Sequence, residues 1–217
     1  MVAGGLLLAA VTAFTPAQLV SGAAPGLPGP HVVAGGEVLI EVTIDTRGAV
    51  TRSTVLRCTP PFTNMLLEAI QHWRFTPARG PDRDGRDRPV ESRVLVGAVY
   101  RQPALVNGPT LGTRPADVAR ASADAPYPVT TAVPVQPPQA HSAGVVLLEV
   151  SLDQTGATKG LRRVDGDPSF EAAASDAVRQ WQFRGATSDG RGVPSLAYVV
   201  VVFPLPVVVV AKPAPAQ

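Results

Sequence analysis

Two stretches of the chain carry the same alternation of apolar and polar positions, each followed by the same helical stripe. Val38, Ile40, Val42 and Ile44 alternate with Leu39, Glu41, Thr43 and Asp45; Val146, Leu148, Val150 and Leu152 repeat the pattern. A period of two predicts a strand with one buried face. Each run ends in Asp-x-x-Gly, at Asp45 to Gly48 and Asp153 to Gly156, a turn in which glycine is free to take positive φ. A second, less regular strand is expected over residues 49–56. Phe62, Met65, Leu66, Ala69, Ile70 and Trp73 then recur at helical spacing, as do Phe170, Ala173, Ala174, Ala177, Val178 and Trp181. Both sets form one apolar stripe that must lie on something. Thr59-Pro60 and Asp167-Pro168 read as helix N-cap and first helical residue. Each helix closes on Trp-x-Phe, and Thr76-Pro77 cannot continue one. Last strands are expected over residues 91–100 and 196–203.

The two copies align without a gap at an offset of 108 residues, from Gly36 and Gly144 to Phe75 and Phe183. Of those 40 pairs 13 are identical, and they fall on strand, turn, cap and stripe, which marks duplication of one folding unit. The predicted class is α+β, with two tandem small domains. Each is a three-stranded antiparallel sheet in β-β-α-β order with one amphipathic helix packed on it. The boundaries read as an apolar segment 1–30, repeat one 31–102, a Pro/Ala-rich linker 103–132, repeat two 133–206 and a tail 207–217. Asp117 to Ala121 could add a turn of helix within the linker, and Val207 to Val210 a further edge. A unit this small is marginal alone, and its last strand is expected at an edge, where unpaired N–H and C=O groups invite a foreign strand. The candidate partner-binding residues are therefore Val94, Val96, Ala98 and Tyr100, with Tyr198, Val200 and Val202.

Composition changes this picture little. The 23 Pro and 20 Gly cluster between the periodic segments and favour small units with extended connections. A net charge of +2 demands neither nucleic acid nor an anionic membrane. The lone Cys58 excludes a disulfide framework within the chain. Residues 1–30 carry no charged side chain. An export signal cut after Ala23, a tilted anchor over Val2 to Val20, and a buried segment all fit, although a signal would lack its positive leading region.

Candidate chemistry is sparse. Asp82, Asp84, Gly85 and Asp87 hint at a calcium loop, but Arg93 stands where the twelfth-position Glu belongs. Their interleaved arginines read as a solvated hairpin instead. Cys58 and His72 could be drawn as a nucleophile and base, yet repeat two has Gly166 and Gln180 there. His31 and His141 have no ligand-like spacing, and Arg74 lies beside a Trp73 that belongs to the stripe. No catalytic, metal-binding or cofactor-binding residue is predicted, and enzyme chemistry is not expected.

Taken together, these motifs resemble the C-terminal domain of TonB, the energy transducer of Gram-negative bacteria. Trp73-Arg74-Phe75-Thr76-Pro77-Ala78 is similar to the family's Trp-x-Phe-x-Pro-Ala signature; in repeat two Trp181-Gln182-Phe183 remains while Gly185-Ala186 replaces Pro-Ala. The segment Val135 to Gly144 resembles the Tyr-Pro-x-x-Ala stretch before the family's first strand, with Tyr127-Pro128 a little upstream. The signature positions are Asp45, Gly48, Trp73, Phe75, Pro77, Asp153, Gly156, Trp181 and Phe183. The resemblance implies a periplasmic module, exported or held in the inner membrane by residues 1–20. It would bind the N-terminal peptide of an outer-membrane receptor, or another periplasmic protein, by strand addition and couple inner-membrane energy to transport. The alternative is a scaffold, adaptor or dimerisation module without energy transduction, because only 16 residues separate Val20 from Gly36, a short tether.

Overall fold

A computed structural model describes residues 14–29, 32, 34–81, 84–102 and 116–205. Its first half runs β1 (Leu19–Ser21), β2 (Gly36–Ile44), β3 (Val50–Arg57), α1 (Phe62–Gln71), β4 (Arg74–Phe75), β5 (Ala78–Pro81), β6 (Asp87–Val90) and β7 (Ser92–Tyr100). The second half repeats the order as β8 (Tyr127–Thr130), β9 (Gly144–Leu152), β10 (Thr158–Gly166), α2 (Glu171–Val178), β11 (Gln182–Arg184), β12 (Ala186–Ser188), β13 (Arg191–Val193) and β14 (Ser195–Phe203). Predicted and observed elements agree to within a residue or two for the long strands.

The assembly differs from the expectation of two separate three-stranded sheets. One six-stranded sheet runs β10-β9-β14-β7-β2-β3. Every pairing in it is antiparallel except the central one: β14 runs parallel to β7, with Ala197 opposite Leu95 and Val202 opposite Tyr100. The order is symmetric about that seam. Ser92 pairs with Ile44 at the end of β2, and Ser195 with Leu152 at the end of β9. A pseudo-twofold axis along the strands relates the halves and exchanges the two faces. Val38, Ile40, Val42 and Ile44 accordingly pack with Phe62, Leu66, Ile70 and Trp73 in one core, and Val146, Leu148, Val150 and Leu152 with Phe170, Ala174, Val178 and Trp181 in the other. The central strands serve both. Val94, Val96, Ala98, Tyr100, Tyr198, Val200 and Val202 face the α1 side, while Leu95, Val99, Ala197, Val199, Val201 and Phe203 face α2.

The helix ends also depart from expectation. Thr59 does not cap α1: helix entry is at Pro61, after a cis Pro60–Pro61 bond, and the Thr59 hydroxyl donates instead to the Glu37 carbonyl at 2.6 Å. Asp167 does cap its segment, accepting from Ser169 N at 2.9 Å at the start of a 3₁₀ turn that leads into α2. Trp73 and Trp181 lie just beyond their helices, because Trp73 N donates to Ile70 O and Trp181 N to Val178 O, tightening the last turn. Both indoles stay buried.

Two extended straps complete the cores. Residues 14–29, read from sequence as part of an apolar leader or anchor, lie in the fold. Thr15 bridges Arg79, Leu19 sits opposite Phe75, and Ala17 and Leu19 are buried. A cut after Ala23 would remove all of β1; residues 1–13 lie outside the described residues. Within the segment read as a linker, residues 116–132 form the matching strap, in which Phe183 lies opposite Pro128. Asp117 to Ala121 forms no helix: Asp117 bridges Arg57, and Val118 N donates to Leu56 O at 2.7 Å. Residues 103–115 and the predicted edge at Val207 to Val210 fall outside the described residues. No helix among the described residues is long and apolar enough to cross a membrane.

Candidate functional site

The repeated signature residues meet at one place in each half. Asp45 Oδ1 accepts from Ala49 N at 2.8 Å and Arg47 N at 2.9 Å, folding the Asp-x-x-Gly turn. Gly48 takes φ +83°, and Phe75 N donates to its carbonyl at 3.0 Å. A Cβ on Gly48 would lie 1.8 Å from the Phe75 carbonyl oxygen. The turn therefore has to be glycine so that Trp-x-Phe can cross it. Repeat two builds the same junction: Asp153 accepts from Thr155 N and Ala157 N, Gly156 takes φ +93°, and a Cβ there would sit 2.3 Å from Phe183 O. Pro77 follows directly and leads into β5.

Each tryptophan ties this junction to its strap. Trp73 Nε1 donates to Ala23 O at 3.0 Å, and Trp181 Nε1 to Ala132 O at 3.2 Å. Each then reaches across the seam. The Trp73 ring meets Tyr198 edge-on at 5.9 Å, and the Trp181 ring lies over Gly97, 3.4 Å from where a Cβ would stand. Buried carboxylates fasten the straps to the sister half. Glu149 accepts from Tyr198 OH at 3.1 Å, and that hydroxyl accepts from Leu19 N at 2.8 Å; burial pushes the Tyr198 phenol far up. In the mirror position Glu41 accepts from Ser122 N at 2.8 Å and pairs with Arg93. Glu37 and Asp117 share Arg57, Thr131 donates to Glu37, and Tyr127 to Asp117. These polar contacts position strap and sheet, and sequence periodicity alone gave no sign of them.

The turn and cap carboxylates make stability acid-sensitive. The Ala49 and Arg47 amides hold Asp45 below the usual range; the Thr155 hydroxyl, then Lys159, hold Asp153 well below it; the Ser169 hydroxyl and amide lower Asp167. A depressed folded value contributes stability that is complete above the unfolded value, near 3.8, and lost as pH falls through the folded one. Thermal melts should be flat from pH 7 to about 5 and fall below about pH 4. Asp45→Asn and Asp153→Asn should flatten that acid limb.

The proposed binding strands are not edges. Val94, Val96, Ala98 and Tyr100 lie on β7, and Tyr198, Val200 and Val202 on β14, each flanked on both sides: β7 by β2 and β14, and β14 by β7 and β9. Their backbone ladders are occupied within the monomer, so a partner strand could add there only by displacing a neighbour. Among the described residues the margins of the sheet are β3 and β10. β3 is closed at its Leu56 end by Val118, whereas β10 is lined by basic side chains in local pairs: Lys159 with Asp153, Arg162 with Glu149, and Arg163 with Glu171.

The remaining candidates do not converge. Cys58 is half-buried with its sulfur 3.4 Å from the Thr63 hydroxyl, at the opposite end of α1 from the exposed His72. Asp84, Gly85 and Asp87 lie in the β5–β6 hairpin, where Asp87 pairs with Arg79; Asp82 and His31 fall outside the described residues. His141 is exposed in the segment before β9, and Arg74 donates to Gln71 O and Trp73 O. Among the described residues no group of three His, Cys, Asp or Glu could hold a metal ion.

Residues 134–205 match the family described as Gram-negative bacterial TonB protein C-terminal. The match spans α2 and its sheet half, from just after β8 to just past β14, and covers a third of the chain. The TonB C-terminal family is a non-enzymatic, transport-associated periplasmic domain. No curated protein matches the chain.

Proposed function

We propose that the chain is a non-enzymatic periplasmic adaptor of TonB type, built from two C-terminal-type units that complete one another. Residues 31–102, with their strap, are the second copy of the unit matched at 134–205. Their kinship rests on the gapless repeat and the shared junction of Asp turn, glycine and Trp-x-Phe. The observation that carries the reading is the parallel β7–β14 ladder. In the single unit the last strand would be left open to a receptor peptide. Here each unit fills that place for the other. This favours the scaffold or adaptor reading over energy coupling through the last strands. A partner protein would add a strand at the outer margins, with β10 the more open of the two, because main-chain hydrogen bonds are the recognition that an unpaired sheet margin offers.

Hydrogen exchange of the full chain with a panel of outer-membrane receptor N-terminal peptides tests this. Any peptide that binds should slow exchange within 158–166 or 50–57 and leave 92–100 and 195–203 unchanged. A peptide that displaces the β7–β14 seam, or slows exchange there alone, would restore the transducer reading and contradict this one.

A further inference from the structure

The two outer margins carry the same bulge, and among the described residues only the first is closed. In β3 Leu56 is an extra residue, since Arg57 lies opposite Leu39 and Val55 opposite Ile40. In β10, 108 residues on, Val164 is extra, with Asp165 opposite Leu147 and Arg163 opposite Leu148. A bulged residue is left out of the ladder and its groups are re-aimed. The Leu56 carbonyl accepts from Val118 N at 2.7 Å and Ala119 N at 3.5 Å, and Asp117 forms an antiparallel bridge with Arg57. Asp117 Oδ1 also meets Arg57 Nη2 at 2.6 Å, and Ala119 packs against the α2 core. At Val164 no described strand or bridge lies beyond β10. The charge there is reversed, because Asp165 stands in the place of Arg57.

We propose that the bulge at Val164 and Asp165 receives an extended, antiparallel segment of a partner protein whose successive side chains are basic, apolar and small. Its Lys or Arg sits on Asp165 as Asp117 sits on Arg57, and the next two N–H groups donate to the Val164 carbonyl as those of Val118 and Ala119 do to Leu56. The inference rests on strand addition at β10 and gives that site its register, direction and charge. Asp165 accepts from Ala24 N at 2.8 Å through Oδ2 and has no cationic partner among the described residues. The neighbouring cations are engaged elsewhere. Arg162, on the same face, is held by both oxygens of Glu149, and Arg163 reaches across the other face to Glu171. An incoming cation therefore meets an unneutralised carboxylate beside a neutralised arginine. Residues 1–13 carry no charged side chain, so this chain's own leading segment offers Asp165 no counter-charge. That favours a separate, basic partner as the occupant.

Titrating the ¹⁵N-labelled full chain with acetyl-Ala-Lys-Val-Ala-Ala-Ala-Ser-amide tests the proposal. This is the sequence from Ala116 to Ser122 with Lys for Asp117 and Ala for Arg120. Two controls carry Ala or Asp in place of the Lys. Saturable amide shifts are expected within 161–167 for the Lys peptide. The Ala peptide should bind about two- to fivefold more weakly and the Asp peptide more weakly still, a ranking lost in molar salt. Asp165→Asn keeps an acceptor for Ala24 N; it should level the three affinities with little change in Tm. If that variant does not fold, the ranking of the three peptides on the unaltered chain still decides. No saturable binding, shifts away from 161–167, or contacts at Val164 from residues 1–13 or a second copy without peptide would overturn the inference. Equal binding of all three peptides at 161–167 would overturn the charge rule and leave strand addition standing. Receptor peptides that bind without slowing exchange in 158–166 would instead remove strand addition at β10 itself.

Discussion

Expressed without the first half, residues 116–205 should not persist as a folded monomer. β14 would lose its parallel partner along six residue pairs, leaving a nine-residue strand, buried throughout in the full chain, as a sheet margin. Tyr198, Val200 and Val202 would lose the cover of α1 and of the strap that carries Leu19. Trp181 would lose the bed formed by Leu39 and Gly97. At roughly 1.5–3 kcal/mol for each large apolar side chain returned to water, the loss is comparable to the whole stability of an ordinary small domain. The fragment is expected to aggregate, or to pair through β14 with a second copy and so regenerate the twofold. Light scattering with circular dichroism distinguishes these outcomes from a monodisperse monomer with a cooperative melt, which the account does not allow.

Gly48→Ala should be the most damaging of the single turn substitutions. An L-residue in the left-handed region costs roughly 1–2 kcal/mol on its own. At Gly48 the added methyl would also fall 1.8 Å from the Phe75 carbonyl, and that oxygen belongs to backbone already bonded to the turn and to β1. Gly190 is the control: it has φ +75° and nothing within 4 Å of a Cβ. Urea denaturation should give Gly190→Ala the cost of the dihedral alone and Gly48→Ala at least twice that, with Phe75 and Trp73 loosened. Equal losses would mean that Trp-x-Phe does not depend on the turn beneath it.

Much of each unit was legible in the sequence because local periodicity fixes local structure. The alternation from Val38 to Ile44, the Asp-x-x-Gly turns and the helix stripes all recur as elements. What the period-two rule could not convey is which strands meet, since pairing between halves is a long-range choice. A signal for it was nevertheless present. Ala197 to Phe203 is an unbroken apolar run, and Leu95 to Tyr100 is nearly one. Uninterrupted apolar strands are covered on both faces and lie inside a sheet. Thr51, Arg52, Ser53 and Thr54, like Lys159, Arg162 and Arg163, carry instead the polar and basic character of protected margins. The straps were illegible for another reason. Residues 14–29 and 116–132 lack any period, and their order comes from single contacts such as Trp73 to Ala23 and Glu41 to Ser122, which no spacing announces.

The parallel seam carries the account, and backbone nuclear Overhauser contacts across it are its most direct measure. Protons of Gly97 should show cross-strand contacts to those of Val199 and its neighbours, and Val96 to Tyr198, in a monomeric sample. Their absence, with β7 and β14 amides exchanging as open margins, would mean two independent units with free last strands and would contradict it.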